Sequence, residues 1–326
     1  MAKVMVTGGA GYVGSQAAKG LAKAGHEVLV FDNLSTGFKS LVRFGAFVEG
    51  DILNRSALSA CFAKFQPDAV MHFAAKSLVG ESMENPAIYY EGNVRGTFEL
   101  LEAVRGLKKK PIFIFSSTCS LYGPTDKPIT EELTLAPINV YARTKRMIEE
   151  LLEDYDRAYG LKFCSLRYFN AAGCDPEGEV GELHEPEAHL IPRLLLHAMN
   201  PAGYPVQVFG TDYPTADGTC VRDYIHVEDL ASAHILAMDY LLGGGKSEIV
   251  NLGTTTGSSV KQVMQMVEKV TGKKLAVTVG ARRPGDPPFL VAGSRKAEKL
   301  FGWKPMHDLE SIVRTAWRWT QEKRAK

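Results

Sequence analysis

The 326-residue chain lacks a charge excess of either sign: Lys plus Arg number 38 against 37 Asp plus Glu, a formal net charge of +1. So balanced a chain carries no broad electrostatic footprint for nucleic acid or an anionic membrane, and any anionic ligand has to be small and locally bound. No apolar run approaches the roughly 18 residues of a membrane span. The stretch Val4–Val6 that follows Met-Ala-Lys is too short for a signal-peptide apolar region and has no cleavage site after it. Cysteine is scarce: the five, at positions 61, 119, 164, 174 and 220, form no CxxC pair and are odd in number. That argues against a disulfide framework or a zinc site and for buried thiols in a reducing compartment, so no metal is assigned and the cytoplasm is the expected location. There is no internal repeat.

What is present is an ordinary globular composition, 45% hydrophobic and 23% charged, in a chain longer than the roughly 250 to 300 residues at which a single core stops growing. One larger and one smaller domain are therefore expected. In the first half, short β-branched runs alternate with longer helical patterns, as βαβ units around a parallel sheet require. Strands are read at 4–7, 28–31, 69–73, 112–116 and 163–167, and helices at 14–24, 57–65, 88–104 and 140–159. Past residue 174 the texture changes to an acidic loop (Asp175, Glu177, Glu179, Glu182, Glu185, Glu187), a helix at 190–199 and a Gly/Pro/Asp/Thr-rich segment at 210–219. A further helix at 227–242 and strand at 249–252 point to a return to the first domain. The expected division is 1–174 as a dinucleotide-binding domain, rejoined at about 221–252, and 175–326 as mainly a substrate domain.

The first strand runs directly into Thr7-Gly8-Gly9-Ala10-Gly11-Tyr12-Val13-Gly14, in which Gly9, Gly11 and Gly14 satisfy GxGxxG at the start of a helix. Glycines there permit a tight turn and close backbone approach, and the helix N-terminus offers N–H groups to a pyrophosphate. Asp32 ends the second strand 18 residues after Gly14, where a carboxylate accepts from the adenosine ribose hydroxyls and repels a 2′-phosphate. Asn33 follows it rather than an arginine, which favours NAD over NADP. Taken alone, Asp32 also fits a turn or cap aspartate. Asp51 closes the stretch 48–51 in a similar position.

Tyr141 and Lys145 form a Tyr-x-x-x-Lys pair on one helix face, downstream of the hydroxyl cluster Ser116-Ser117-Thr118. A tyrosine with a reference pKa near 10 needs about 4 kcal/mol of phenolate stabilisation to act as a base near pH 7. An ammonium about 5 Å away contributes roughly 3 kcal/mol at an effective dielectric of 20, leaving the remainder to an oxidised nicotinamide. Thr118 is expected to hydrogen-bond the same substrate hydroxyl.

With these residues in hand, the chain resembles the extended short-chain dehydrogenase/reductase superfamily and, within it, the nucleotide-sugar epimerases. The likeness runs from Gly8 to about Trp303 through His72-Phe73-Ala74-Ala75, Asn93-Val94, Tyr141-Ala142-Arg143-Thr144-Lys145, Arg167-Tyr168-Phe169-Asn170, Asp212-Tyr213-Pro214-Thr215, Arg222-Asp223-Tyr224 and Arg282-Arg283-Pro284-Gly285-Asp286. The glycine motif is common to the superfamily, whereas the 212–215 and 222–224 segments are particular to the epimerases. The resemblance implies a doubly wound α/β (Rossmann) domain with a smaller α/β domain, bound NAD, and reversible inversion at C4 of UDP-glucose and UDP-galactose through a 4-keto sugar. It implies Thr118, Tyr141 and Lys145 as the catalytic residues. Gly8, Gly11, Tyr12, Val13, Gly14, Asp32, Asn33, Asp51, Ile52, Phe73, Ala74, Ala75, Asn93, Ser116 and Tyr168 are implied beside NAD, together with Tyr141 and Lys145. Asn170, His189, Leu190, Phe209, Arg222, Tyr224, Val260, Arg283, Asp286 and Leu290 are implied around the UDP-sugar, with Thr118 and Tyr141. A homodimer built on helices 88–104 and 140–159 is implied too. Whether Lys76 contacts NAD stays open, since some relatives place that lysine one position later. A 4,6-dehydratase uses the same Tyr, Lys and NAD but carries Asp-Glu after its threonine; Cys119 and Ser120 stand here. A plain NAD-dependent sugar-alcohol dehydrogenase and a non-catalytic NAD-binding protein are the other readings. Leu290 lies where relatives carry either a bulky tyrosine or a small residue, so UDP-N-acetylhexosamines stay open as further substrates.

Overall fold

The computed structural model describes residues 1–123, 125, 129–283 and 286–324. Its centre is a seven-stranded, all-parallel sheet of β1 (Lys3–Thr7), β2 (Glu27–Asp32), β3 (Ala46–Glu49), β4 (Ala69–His72), β5 (Ile112–Ser116), β6 (Phe163–Arg167) and the edge strand Glu248–Asn251. In space the order is 248–251, β6, β5, β4, β1, β2, β3. Residues of β1, β4, β5 and β6 are buried almost throughout, as strands covered on both faces must be, and this is why they read as unbroken apolar runs rather than alternating ones. The chain winds outward from β1 in both directions, so the gap between β1 and β4 is the switch point at whose carboxyl edge ligands bind in such sheets.

One face of the sheet packs on the helices Tyr12–Lys23 and Val227–Leu242, in a core that includes Val4, Val6, Leu21, Leu230 and Met238. The other packs on Arg55–Phe65, Gly96–Arg105 and Val140–Tyr159 through Met5, Phe62, Leu101, Phe113 and Leu152. A separate core joins the helices Leu190–Met199, Val260–Thr271 and Leu309–Arg324 around Leu194, Val263, Val267, Val313 and Trp319. Local chemistry sets their ends. Asn139 accepts from the Ala142 N–H at 2.8 Å to start Val140–Tyr159, Ser259 and Gln262 form a reciprocal capping box, and Gly160, Gly272 and Gly302 close three helices in the left-handed region. No helix among the described residues is long and apolar enough to cross a membrane.

Two departures from the sequence reading bear on the site. β3 was not expected as a strand: it is an exposed edge, so no buried face imposes a pattern. The expected helix 88–104 is three pieces, Pro86–Tyr89, a π-helical turn Tyr90–Arg95, and Gly96–Arg105. The wide turn carries Asn93 inward until it is fully buried, a use of π-turns common at functional sites. Gly96 follows, and a Cβ there would stand 2.7 Å from Ile52 Cδ1.

His72 ends β4 and is 1% exposed, its ring nitrogens 2.7 Å from Thr7 Oγ1 and 2.8 Å from Thr97 Oγ1. Burial, helped by the Lys145 charge, lowers its pKa to about 3. The unfolded chain therefore binds a proton below pH 6.5 that the fold refuses, and stability falls by about 1.4 kcal/mol per pH unit between 6.5 and 3 from this group. Urea unfolding at pH 6.5 and 4.5 is expected to show that slope in the native chain, and a flatter one in His72→Asn.

Candidate active site

The glycine loop shows why each small residue is needed. Gly8 has φ +77° and a Cβ there would lie 2.4 Å from the Ala74 nitrogen; at Gly14 it would lie 2.2 Å from the Gly8 carbonyl oxygen. β1 and β4 thus approach each other as closely as backbone allows, with the Phe73 and Ala74 N–H groups both donating to Thr7 O at 2.8 and 3.1 Å. The helix Tyr12–Lys23 begins at Gly11 with no side-chain cap and no acid in its first turn, which leaves its dipole and first N–H groups to a ligand. Asp32, 8% exposed, accepts from Ala10 N at 3.0 Å and Leu34 N at 2.8 Å, so it does hold the turn. Each carboxylate oxygen retains a lone pair. Asn33 donates to Asp51 at 2.8 Å, and Asp51 also accepts from Leu53 N at 2.8 Å; Ile52 is buried against Gly96. An uncapped helix start, backbone packed too closely for any Cβ and a fixed carboxylate at the end of β2 are a donor set that fits a dinucleotide.

Tyr12 and Asn93 lie at this loop in a manner the sequence did not disclose. The Tyr12 hydroxyl donates to the Gly173 carbonyl and Val13 packs on the sheet core. Asn93 brackets Lys76, accepting from its N–H at 2.8 Å and donating to its carbonyl at 3.1 Å, while also donating to Thr144 Oγ1 at 3.1 Å. It clamps the segment after Ala75 to the helix that carries Tyr141.

At the end of β5, Thr118 is 4% exposed and Lys145 3%. Burial holds the Tyr141 phenol well above its usual range, with Tyr168 adding to the rise and the Thr118 hydroxyl acting against it. Lys145 donates to the Ser116 carbonyl at 2.9 Å, and its ammonium lies 5.9 Å from the centre of the Tyr141 ring. Burial brings Lys145 down to about 7, against a smaller upward pull from Glu149. This alters the expected division of labour: a lysine charged only part of the time at pH 7 contributes less to phenolate than the full charge assumed from sequence, and more falls to a cationic ligand ring. Tyr168 shares a 2.5 Å hydrogen bond with Ser116 Oγ, and burial pushes its phenol up to about 12.

Beneath this layer lies machinery the sequence reading missed. Arg167, at the end of β6, forks onto Glu149 at 2.9 and 2.5 Å, Ser117 donates to the same carboxylate at 2.7 Å, and both charged side chains are about 3 to 4% exposed. Glu149 stands four residues after Lys145 on one helix face, a spacing visible in the sequence. Its buried arginine partner was not, because no local pattern links positions 149 and 167.

Small sheets assemble the other expected residues. Asn170 pairs with Tyr224 in parallel register and donates to the Asp223 carbonyl at 2.8 Å. Arg222 pairs with Leu290, and the partner strand Ser258–Ser259 leads into Val260. Phe209 pairs with Gly280, and the Arg283 guanidinium lies 4.1 Å over the Phe209 ring. Leu290 packs with Phe169 against the cluster of Cys119 and Tyr122, which brings it to the loop after Thr118. Two of the expected residues already have carboxylate partners. Arg222, expected to meet a diphosphate, is engaged by Asp286, since a carboxylate is its nearest anion. His189, at the start of the helix Leu190–Met199, has its ring bound by Glu182 and Glu187, each at 3.0 Å. Pro284 and Gly285 of the quoted motif lie outside the described residues.

A doubly wound sheet with an uncapped glycine loop at its switch point, and Thr118, Tyr141 and Lys145 grouped one strand away, defines a dinucleotide-dependent class of enzyme. Residues 4–253 match the model of the NAD dependent epimerase/dehydratase family, and the chain belongs to that family. It is 48% identical over 317 residues to a UDP-glucose 4-epimerase of Rhizobium meliloti, covering 97% of this chain and 96% of that one. The solved UDP-glucose 4-epimerase of Brucella ovis in complex with NAD superposes with a TM-score of 0.95 at 49% identity, over 98% of each chain. That of Bifidobacterium longum, in complex with NAD+ and UDP, does so at 0.92 and 33% identity over 99% of each.

Proposed function

We propose that the protein interconverts UDP-glucose and UDP-galactose by inversion at C4, and that Tyr141 is the base. The observation that carries this reading is the Tyr141 phenol, acted on by the Thr118 hydroxyl and with the Lys145 ammonium 5.9 Å from its ring centre, beside a glycine loop that fits a dinucleotide. NAD, when bound, accepts hydride from C4 and returns it to the opposite face. Thr118 orients the sugar 4-hydroxyl, and Tyr141 takes its proton and gives it back after the 4-keto sugar has turned. Lys145 supports the phenolate, and the buried wall keeps water from the ketone. Phe209 offers uracil an apolar face, and Arg283 with Arg222 faces the diphosphate. Incubating the purified protein with UDP-galactose and no added cofactor, with products read by proton NMR, is expected to yield UDP-glucose without net reduced cofactor. A 4-keto-6-deoxy product would make it a dehydratase instead.

Three finer readings belong with this proposal. The active form is a homodimer through the helices at 88–104 and 140–159, supported by Tyr90, Phe98 and Met147, apolar side chains left 36%, 39% and 41% exposed there. All five cysteines are buried and none is in a disulfide, which suits a reducing cytoplasm. Leu290 sets breadth: Leu290→Tyr is expected to cut kcat/KM for UDP-N-acetylglucosamine by roughly ten- to a hundredfold, a 1–3 kcal/mol pocket effect, while leaving UDP-galactose within about threefold. An unchanged ratio of the two constants would remove Leu290 from the pocket.

A further inference from the structure

The acidic loop that leads into the helix Leu190–Met199 folds into a four-residue cluster of Glu182, His184, Glu187 and His189, whose ligand-type atoms all lie within 4.8 Å of one another. Both imidazoles aim Nδ1 inward. His189 Nδ1 is 3.0 Å from Glu182 Oε1 and 3.0 Å from Glu187 Oε1, and His184 Nδ1 is 3.1 Å from Glu182 Oε1 and 4.0 Å from Glu187 Oε2. Three of these four separations are close to the roughly 3.3 Å between donors held about 2.0–2.1 Å from a tetrahedral zinc ion. We propose that Glu182, His184, Glu187 and His189 form a binding site for one divalent transition-metal ion of the zinc class.

Charge and support both favour it. The two carboxylates are 4% and 6% exposed, and buried anions need compensation. A single dication held among the four side chains supplies it, between imidazole rings whose centres lie 4.8 Å apart. The ligands are also anchored. The Glu182 carbonyl accepts from Trp319 Nε1 at 2.9 Å, its N–H donates to Cys174 Sγ at 3.5 Å, and Glu187 accepts from the His189 N–H at 3.0 Å, the outer-shell fixing that metal sites use. An ion here would fasten the loop at the base of the Leu190–Met199 helix. His184 meets the Tyr12 ring edge-on at 6.2 Å, so the same ion would steady the glycine-loop side of the junction.

The test uses the purified full-length protein as isolated, stripped with dipicolinate and then dialysed against zinc chloride without any UDP-sugar. About one zinc per chain is expected by elemental analysis, with a rise in melting temperature on loading. Glu187→Gln and His184→Gln are expected to lower zinc affinity at least roughly tenfold. Cobalt(II) in place of zinc is expected to give the intense visible bands of a tetrahedral site in the unmutated protein, a readout that stands even where a variant folds poorly. Substoichiometric zinc together with octahedral cobalt spectra in the unmutated protein, or undiminished binding by a folded Glu187→Gln, would overturn the site. Because metal is counted without substrate, that outcome leaves the proposed reaction untouched.

Discussion

Tyr141→Phe is expected to slow UDP-galactose conversion by about a thousandfold while the bound NAD and the unfolding midpoint stay as they were. The change removes one hydroxyl and keeps the ring, so the contacts of the partly buried side chain persist and only the proton path is lost. General acid–base groups contribute typically 10²- to 10⁴-fold, and this one works in both directions of the reaction. Thr118→Ala is the milder companion: it removes the donor that lowers the Tyr141 phenol but leaves the base. Single-turnover progress by NMR, with NAD measured after denaturation, separates the two effects. Activity within about tenfold of native in Tyr141→Phe would move the base elsewhere, and a loss of NAD in parallel would make the tyrosine a cofactor ligand first.

How far the sequence spoke for itself differs from element to element. β1, β4, β5 and β6 were legible because strands buried on both faces have nowhere to place a polar residue, and the glycine loop because only glycine tolerates backbone 2.2 to 2.4 Å from a virtual Cβ. β3 was silent, being exposed and pattern-free. The π-turn at 90–95 was hidden because a single extra residue in a turn leaves composition unchanged while rotating the helix faces by about 100°. In the site, spacing disclosed Tyr141 and Lys145, which share a helix face, but not the state of their protons. Lys145 near 7 is a consequence of burial by residues from β5 and beyond, information that no local pattern carries. The same holds for Arg222, whose partner Asp286 is 64 residues away.

Glu149→Ala bears on both the fold and the chemistry, and its effect is expected to be large. Removing the carboxylate strands the Arg167 guanidinium, 4% exposed, in the interior, and breaking one half of a buried ion pair typically costs about 3–5 kcal/mol. Ser117 loses its acceptor as well. Denaturant unfolding at pH 7 is expected to show that loss, where an exposed pair such as Arg157–Asp154 would show about 1 kcal/mol or less. The catalytic consequence has a definite sign. Glu149 is the group that pulls the Lys145 pKa upward against burial; without it, and with Arg167 left as an uncompensated neighbouring cation, Lys145 releases its proton at lower pH. If the charged lysine supports the Tyr141 phenolate, the alkaline fall of kcat/KM shifts toward acid in this variant, and Glu149→Gln, which keeps hydrogen-bond capacity but not charge, shifts it the same way with a smaller loss of stability. An unchanged pH profile in a folded Glu149→Gln would mean that Lys145 acts through position alone, holding its place against Ser116, and that its charge is not what activates the base.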